Sequence, residues 1–326
     1  MKKSTKKILG AAAGIGAGAL ALGEVFYQSI LNINFKSKTI DKTGIFVNEE
    51  EERFYRENEI YQHGIKWFKE LDVPDTVIRS RLGRNTHANI IYSDKITDRW
   101  AVIIHGYTGD PLCMSHYAWK YHELGFNVLM PHMLGHANDP SKYCTMGYYD
   151  RYMILDWIEY IIDLNPDAKI LMHGVSMGSA TTMLVTGEPL PENVVVAVAD
   201  CGYTSCWDEY EIQIGELFKL PTIPFLPLFN KISKLHKNFD FKECAPIKAV
   251  AKSKTPTLFI HGEDDNFVPY KMMEPLYNAC TAEKDMLTIK GAVHANSVFV
   301  ENEIYWDKVT SFIEKYFNKD KADLTA

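Results

Sequence analysis

The amino-acid sequence predicts an α/β protein built on a mostly parallel central sheet with helices on both faces. Three observations point there. The chain has 326 residues, of which 46% are hydrophobic and 24% charged, an ordinary globular balance with room for one large core. Short β-branched runs alternate with helical stretches through most of its length. The polar motifs that could carry chemistry fall just past the C-terminal ends of those runs, where open α/β sheets bind ligands.

The first residues depart from this pattern. Met1 to Lys7 carries four lysines, and Ile8 to Gly23 then runs without a charge until Glu24. A basic start, an apolar run and the small-residue triplet Ala19-Leu20-Ala21 predict a signal peptide or an uncleaved N-terminal membrane anchor at 1–27. Lysines on the N-terminal side place the rest of the chain outside the cytoplasm, secreted or held at the cell membrane. Gly14, Gly16 and Gly18 imitate part of a dinucleotide fingerprint, but no strand precedes them and no acidic residue follows at the ribose position.

After the leader, Asn48 to Glu59 is strongly charged, and Ile60, Ile65, Trp67, Phe68 and Leu71 suggest an amphipathic helix ended by Pro74. The main domain is expected over 45–326. Strands are predicted at Ala88 to Tyr92, Trp100 to His105, Asn127 to Pro131, Lys169 to His173, Val194 to Ala199, Thr257 to His261 and Met286 to Ile289. Helices are predicted at Tyr117 to Leu124, Tyr148 to Leu164, Met177 to Thr186, Tyr270 to Cys280 and Asn302 to Phe317. The alternation breaks at about 202–254, which reads as a cap inserted after the sixth strand of the fold and lying over the site. Pro221, Pro224 and Pro227 are expected to keep that stretch from forming a long regular helix.

Charge and cysteine usage narrow the function classes. A formal charge of -7 argues against nucleic acid, whose binding rests on clustered Lys and Arg. Six cysteines, at 113, 144, 201, 206, 244 and 280, form no C-x-x-C pair and no zinc spacing; Cys201 and Cys206 could pair locally, or the thiols could be buried and free. His132 and His136 lack a third ligand, so no metal and no cofactor is expected.

Gly174-Val175-Ser176-Met177-Gly178 follows an apolar strand and precedes a helix pattern, the context of a G-x-S-x-G nucleophile elbow. Glycines 174 and 178 permit the tight turn. The helix starting at Met177 aims backbone N–H groups and its positive dipole end at the reacting centre. A serine hydroxyl needs a base, and the base an orienting carboxylate. Downstream strands supply both, in His261-Gly262-Glu263-Asp264-Asp265-Asn266-Phe267-Val268-Pro269 and Gly291-Ala292-Val293-His294. Asp265 is preferred as the acid, because Asp264 would more naturally hydrogen-bond its own turn and Asp200 reads as a strand-end cap or a partner of the catalytic loops. His294 is the base. The loop His105-Gly106-Tyr107-Thr108-Gly109 offers the Tyr107 amide, which with the Met177 amide would form an oxyanion hole, and His105 reads as a structural holder of that loop. The Tyr107 ring could line a substrate pocket.

The order Ser, Asp, His and these four motifs together resemble bacterial exported or membrane-anchored α/β-hydrolases of the serine aminopeptidase-like and cinnamoyl-esterase-like type, distantly similar to the prolyl oligopeptidase catalytic domain. The similarity runs from about Trp67 to the C-terminal helix. It implies Ser176 as nucleophile, Asp265 as orienting acid, His294 as base, and the Tyr107 and Met177 amides as oxyanion hole. One loop departs: where the group has a basic residue before G-H-G, this chain reads Met133-Leu134-Gly135-His136-Ala137. The expected activity is hydrolysis of a small hydrophobic carboxylic ester through an acyl-enzyme. A peptidase or amidase on small peptides is the alternative. A surface-anchored binding protein that keeps the fold without catalysis is the reading from another class.

Overall fold

A computed structural model describes residues 21, 23–25, 27–33 and 49–318. Most of the predicted leader lies outside the described residues. Among those described, no helix is long and apolar enough to cross a membrane.

Eight strands form one sheet in the order β1-β2-β4-β3-β5-β6-β7-β8. They are β1 (Asp75–Arg79), β2 (Asn85–Ile91), β3 (Arg99–Ile104), β4 (Asn127–Pro131), β5 (Lys169–Val175), β6 (Val194–Asp200), β7 (Thr257–Gly262) and β8 (Lys284–Ile289). The first two pair antiparallel and join β4 antiparallel; every later pairing is parallel. The sequence reading missed β1, an edge strand whose alternately exposed residues bury no continuous apolar run.

Directly before the sheet stand α1 (Glu49–Glu57) and α2 (Glu59–Glu70), the second capped by Asn58, whose side chain accepts the Tyr61 N–H at 3.0 Å. Helices α3 (Ser115–Glu123), α4 (Asp150–Leu164) and α5 (Met177–Thr186) follow β3, β4 and β5. The central strands are buried on both faces and divide their side chains between two cores. Trp100, Val102, Ile104, Ile170 and Met172 pack with α4 and α5 on one face. Ala101, Ile103 and Leu171 pack with α3 and the C-terminal helix on the other.

Between β6 and β7 stand α6 (Cys206–Phe218), α7 (Thr222–Lys237) and α8 (Pro246–Val250). The expectation that prolines would prevent a long helix here is corrected by α7, whose helical backbone runs from Pro224 to Lys237. Ile223 is extended (φ -98°, ψ 128°), and the helical backbone begins after it. Pro224 and Pro227 therefore fall in the opening turn, where few amide donors have an intrahelical partner to lose. α9 (Met273–Ala279) follows β7, and α10 (Ser297–Val300) and α11 (Asn302–Phe317) follow β8.

The segment 23–33 packs against this domain. Tyr27 is fully buried, its ring stacked on His236 of α7 at 4.7 Å, and Glu24 accepts a hydrogen bond from His236 at 2.8 Å. Further along, the Cys144 N–H donates to the Leu31 carbonyl at 2.8 Å and the Ile33 N–H to the Lys142 carbonyl at 3.1 Å. All six cysteines are free thiols, five of them buried, so the local Cys201–Cys206 pairing is not formed.

Candidate active site

The sheet brings Ser176, Asp265 and His294 together from three separate strand ends. β5 ends at Val175 and α5 starts at Met177, so Ser176 alone makes the turn, with φ 58° and ψ -118°. Such a conformation in a residue with a Cβ costs of order 1–3 kcal/mol and is held by its surroundings. A Cβ on Gly174 would lie 2.1 Å from the Gly178 carbonyl oxygen, and one on Gly178 would lie 1.9 Å from that of Ile104. Backbone meets backbone there, which is why the elbow needs both glycines.

His294 Nε2 lies 2.8 Å from Ser176 Oγ, and its Nδ1 lies 2.7 Å from Asp265 Oδ2. Of the candidate acids it is Asp265 that meets His294, and its other oxygen makes further contacts. Its Oδ1 accepts the Phe267 and Val268 N–H groups, each at 3.0 Å, so Asp265 performs the turn-holding task expected of Asp264, which is exposed. Burial pushes the Asp265 carboxyl up, but His294 and His261 outweigh it and hold the group down at about 2. The carboxylate is charged at any pH where an imidazole can act as base.

Asp200 serves another network. It is fully buried, its Oδ2 accepts the Tyr305 hydroxyl at 2.8 Å, and its carbonyl accepts the Ser176 N–H at 2.9 Å. Tyr305 and Tyr121 hydroxyls also lie 3.0 and 2.8 Å from the two ring nitrogens of His173, which makes His173 part of the buried support under the elbow.

Tyr107 follows β3 in a loop that passes close over Ser176: a Cβ on Gly106 would lie 3.3 Å from that of Ser176. His105 holds this loop as expected. Its Nδ1 donates to the Gly106 carbonyl at 2.8 Å and its Nε2 accepts the Met133 N–H at 3.1 Å, while burial pushes the imidazole down to about 4 and keeps it neutral. His132 and His136 also pin backbone, accepting the Asn138 and Thr108 N–H groups at 3.1 and 3.0 Å. Their other ring nitrogens meet Asn89 Oδ1 of β2 and the Leu134 carbonyl, each at 3.0 Å. Met177 opens α5, so its amide has no partner within the helix.

Two cavities meet at Ser176. The inner one is narrow, about 40 Å³, and almost wholly apolar; Ile30, Tyr107, Met177, Tyr210, Phe267 and Val268 are among its walls. The outer one, about 220 Å³, is lined by Tyr55, Tyr61, His116, Tyr117, Phe299 and His294 among others. Sequence reasoning placed Tyr107 here but missed Ile30, Tyr55 and Tyr61. Ile30 sits beside the predicted leader, and the two tyrosines belong to helices whose only visible signal was charge and amphipathicity.

The strand order, the elbow after β5, and acid and base after β7 and β8 decide the architecture. The chain has the α/β-hydrolase fold. A family model described as alpha/beta hydrolase fold matches residues 101–221, and one described as serine hydrolase (FSH1) matches residues 218–294, which includes Asp265 and His294. It is 27% identical to the uncharacterized protein YqkD of Bacillus subtilis (strain 168) over 315 residues, 95% of this chain and 97% of that protein. Among solved structures it resembles the esterase Pf2001 of Pyrococcus furiosus (TM-score 0.62, 19% identity, 76% of this chain and 95% of that one). It also resembles the acylaminoacyl peptidase of Pyrococcus horikoshii (TM-score 0.58, 19% identity, 78% of this chain and 44% of that one).

Proposed function

We propose that this α/β-hydrolase is a carboxylesterase acting on small hydrophobic esters through an acyl-enzyme on Ser176. The observation that carries the reading is the relay from Ser176 Oγ to His294 Nε2 at 2.8 Å and from His294 Nδ1 to Asp265 Oδ2 at 2.7 Å. His294 takes the hydroxyl proton as Ser176 attacks the carbonyl, Asp265 stabilises the imidazolium that forms, and the imidazolium then protonates the leaving group. Water releases the acyl group with His294 again as base.

We assign the oxyanion hole to the Tyr107 and Met177 amides. The Tyr107 loop passes close over Ser176, and Met177 opens α5 directly after it. The leaving group must lie where His294 can protonate it, and His294 lines the outer cavity. That assigns the outer, aromatic cavity to the alcohol and the inner, apolar one to the acyl chain. Residues 202–254 act as the cap: Gln213 of α6 lines the inner cavity and donates to the Phe267 carbonyl at 2.7 Å. The basic, then apolar start of the chain supports an exported or membrane-anchored enzyme; fractionation of cells expressing the full chain tests that placement.

Fluorophosphonate labelling tests the nucleophile. Wild type should label and Ser176→Ala should not, with turnover lowered about a million-fold. Labelling that survives the substitution rejects the assignment. A panel of esters beside aminoacyl amides then separates esterase from peptidase, the second reading that the peptidase neighbour supports. A fold retained for binding alone would have no use for an intact relay.

A further inference from the structure

The inner cavity has one feature that an ordinary hydrocarbon pocket lacks. Glu209, on the first turn of α6, lines it together with Ser176, yet is only 2% exposed. Its Oε1 accepts the Gln213 side-chain N–H at 2.8 Å, and the same Gln213 nitrogen donates to the Phe267 carbonyl, which fixes the carboxyl against the wall. Oε2 is buried and has no hydrogen-bond partner among the described residues. A buried, unsatisfied polar atom in a pocket that is otherwise almost wholly apolar is costly to the folded protein. The site that would satisfy it is the space a substrate enters.

We propose that Glu209 is a specificity-determining residue that donates a hydrogen bond from Oε2 to a neutral oxygen on the acyl portion of the substrate, a hydroxyl or a carbonyl set along the chain. The inference rests on the acyl-enzyme reading above and names the substrate class for that same site. Two observations select a neutral oxygen over an ammonium. Burial, with the nearby Asp265 charge adding to it, pushes the carboxyl up to about 8, so it is protonated and a donor near neutral pH. Apart from Ser176 and Gln213, the remaining walls are aliphatic, sulfur-bearing and aromatic, surroundings that disfavour a full charge.

A pocket that presents a buried hydrogen-bonding group rejects analogues unable to answer it more strongly than it rejects a missing methylene. Wild type should therefore hydrolyse one member of a series of hydroxy- or oxo-acyl esters with kcat/KM about 10- to 100-fold above that of the unsubstituted ester of the same length. The difference should appear mainly in KM. Glu209→Gln keeps a donor of the same shape and should keep most of the preference. Glu209→Leu should erase it by improving the plain ester and weakening the oxygenated one.

Wild type that treats plain and oxygenated esters alike overturns the proposal, whatever the variants do. So does a Glu209→Leu variant that loses activity on both to the same extent, which would mark a purely structural role, and so does a preference for aminoacyl esters, which would mark a carboxylate that binds ammonium. Fluorophosphonate labelling of Ser176 in the same preparations separates the two levels. Unlabelled wild type defeats the acyl-enzyme reading; labelled wild type without the oxygen preference defeats only the role of Glu209.

Discussion

His136 Nε2 accepts the backbone N–H of Thr108 at 3.0 Å, and its Nδ1 donates to the Leu134 carbonyl at 3.0 Å. The loop after β4 thus holds the loop after β3 one residue beyond Tyr107, whose ring lies edge-on to the imidazole at 6.0 Å. Thr108 itself has φ 63°, a conformation that needs such support. His136→Ala should lower kcat by about tenfold to a hundredfold, less than full loss of an oxyanion donor, with KM nearly unchanged. His136→Gln, which can offer a carbonyl oxygen to the same N–H, should recover part of it. Steady-state kinetics on one ester decides the matter, and an unchanged kcat in His136→Ala would remove the loop-holding role.

The elbow makes a stability prediction. Gly178 lies in the first turn of α5 with its Cα against the end of β3, and an added Cβ would meet the Ile104 carbonyl oxygen at 1.9 Å and the His105 carbonyl oxygen at 2.8 Å. Neither is a flexible side chain that can move aside. Gly178→Ala should destabilise by more than about 3 kcal/mol or prevent folding, placing it in the tail reserved for steric conflict in a core. Denaturant unfolding followed by circular dichroism measures it. Gly215, whose Cβ would meet nothing within 4 Å, is the control that should tolerate alanine.

These two cases show what could be read from the chain and what could not. G-x-S-x-G after an apolar run carries its meaning locally, because the turn is made by five consecutive residues, and the meeting of Asp265 with His294 could be anticipated because each follows a strand. His136 acts on Thr108 across 28 positions, and nothing local in Met133 to Ala137 announces that contact. Glu209 looks like one more charge on a charged helix until its burial is known. β1 escaped because an edge strand alternates exposure without a strong apolar face. The Pro-rich stretch misled because a proline is judged by its place in the helix, and the start of α7 was not visible.

The segment 23–33 gives a prediction about the chain's start. Tyr27 is completely buried between His236 and Tyr143, with ring centroids 4.7 and 5.3 Å away. Ile30 lines the inner cavity, and its carbonyl accepts the Tyr107 hydroxyl. Processing at Ala21 would leave all of these contacts in place. Tyr27→Ala should cost about 3 kcal/mol, the scale of deleting a buried ring. A chain beginning at residue 34 should lose stability and, with Ile30 gone from the cavity wall, show a broadened acyl-chain profile. Thermal melts and an ester-length series check both effects; a chain starting at residue 34 with wild-type melting and selectivity would show that the segment is dispensable.

Asp265 and Glu209 should pull stability in opposite directions with pH. Asp265 is held at about 2 in the folded protein, below the ordinary carboxyl range of the unfolded chain. Its contribution is therefore complete above the unfolded value and disappears as pH falls toward 2. Glu209 is pushed up to about 8, so the folded state keeps a proton that the unfolded state releases from about 4.5 upward. Folding is then progressively opposed as pH rises from about 4.5 to 8, and the penalty is constant above. Glu209→Gln keeps the shape and removes the ionisation. Its unfolding free energy relative to wild type should be flat below pH 4.5, grow in the variant's favour by up to a few kcal/mol through pH 8, and level off. Urea melts of both proteins across pH 4 to 9 provide the measurement. A difference that does not vary with pH would mean that Glu209 titrates alike in the folded and unfolded chain, and its carboxyl would then be charged at neutral pH.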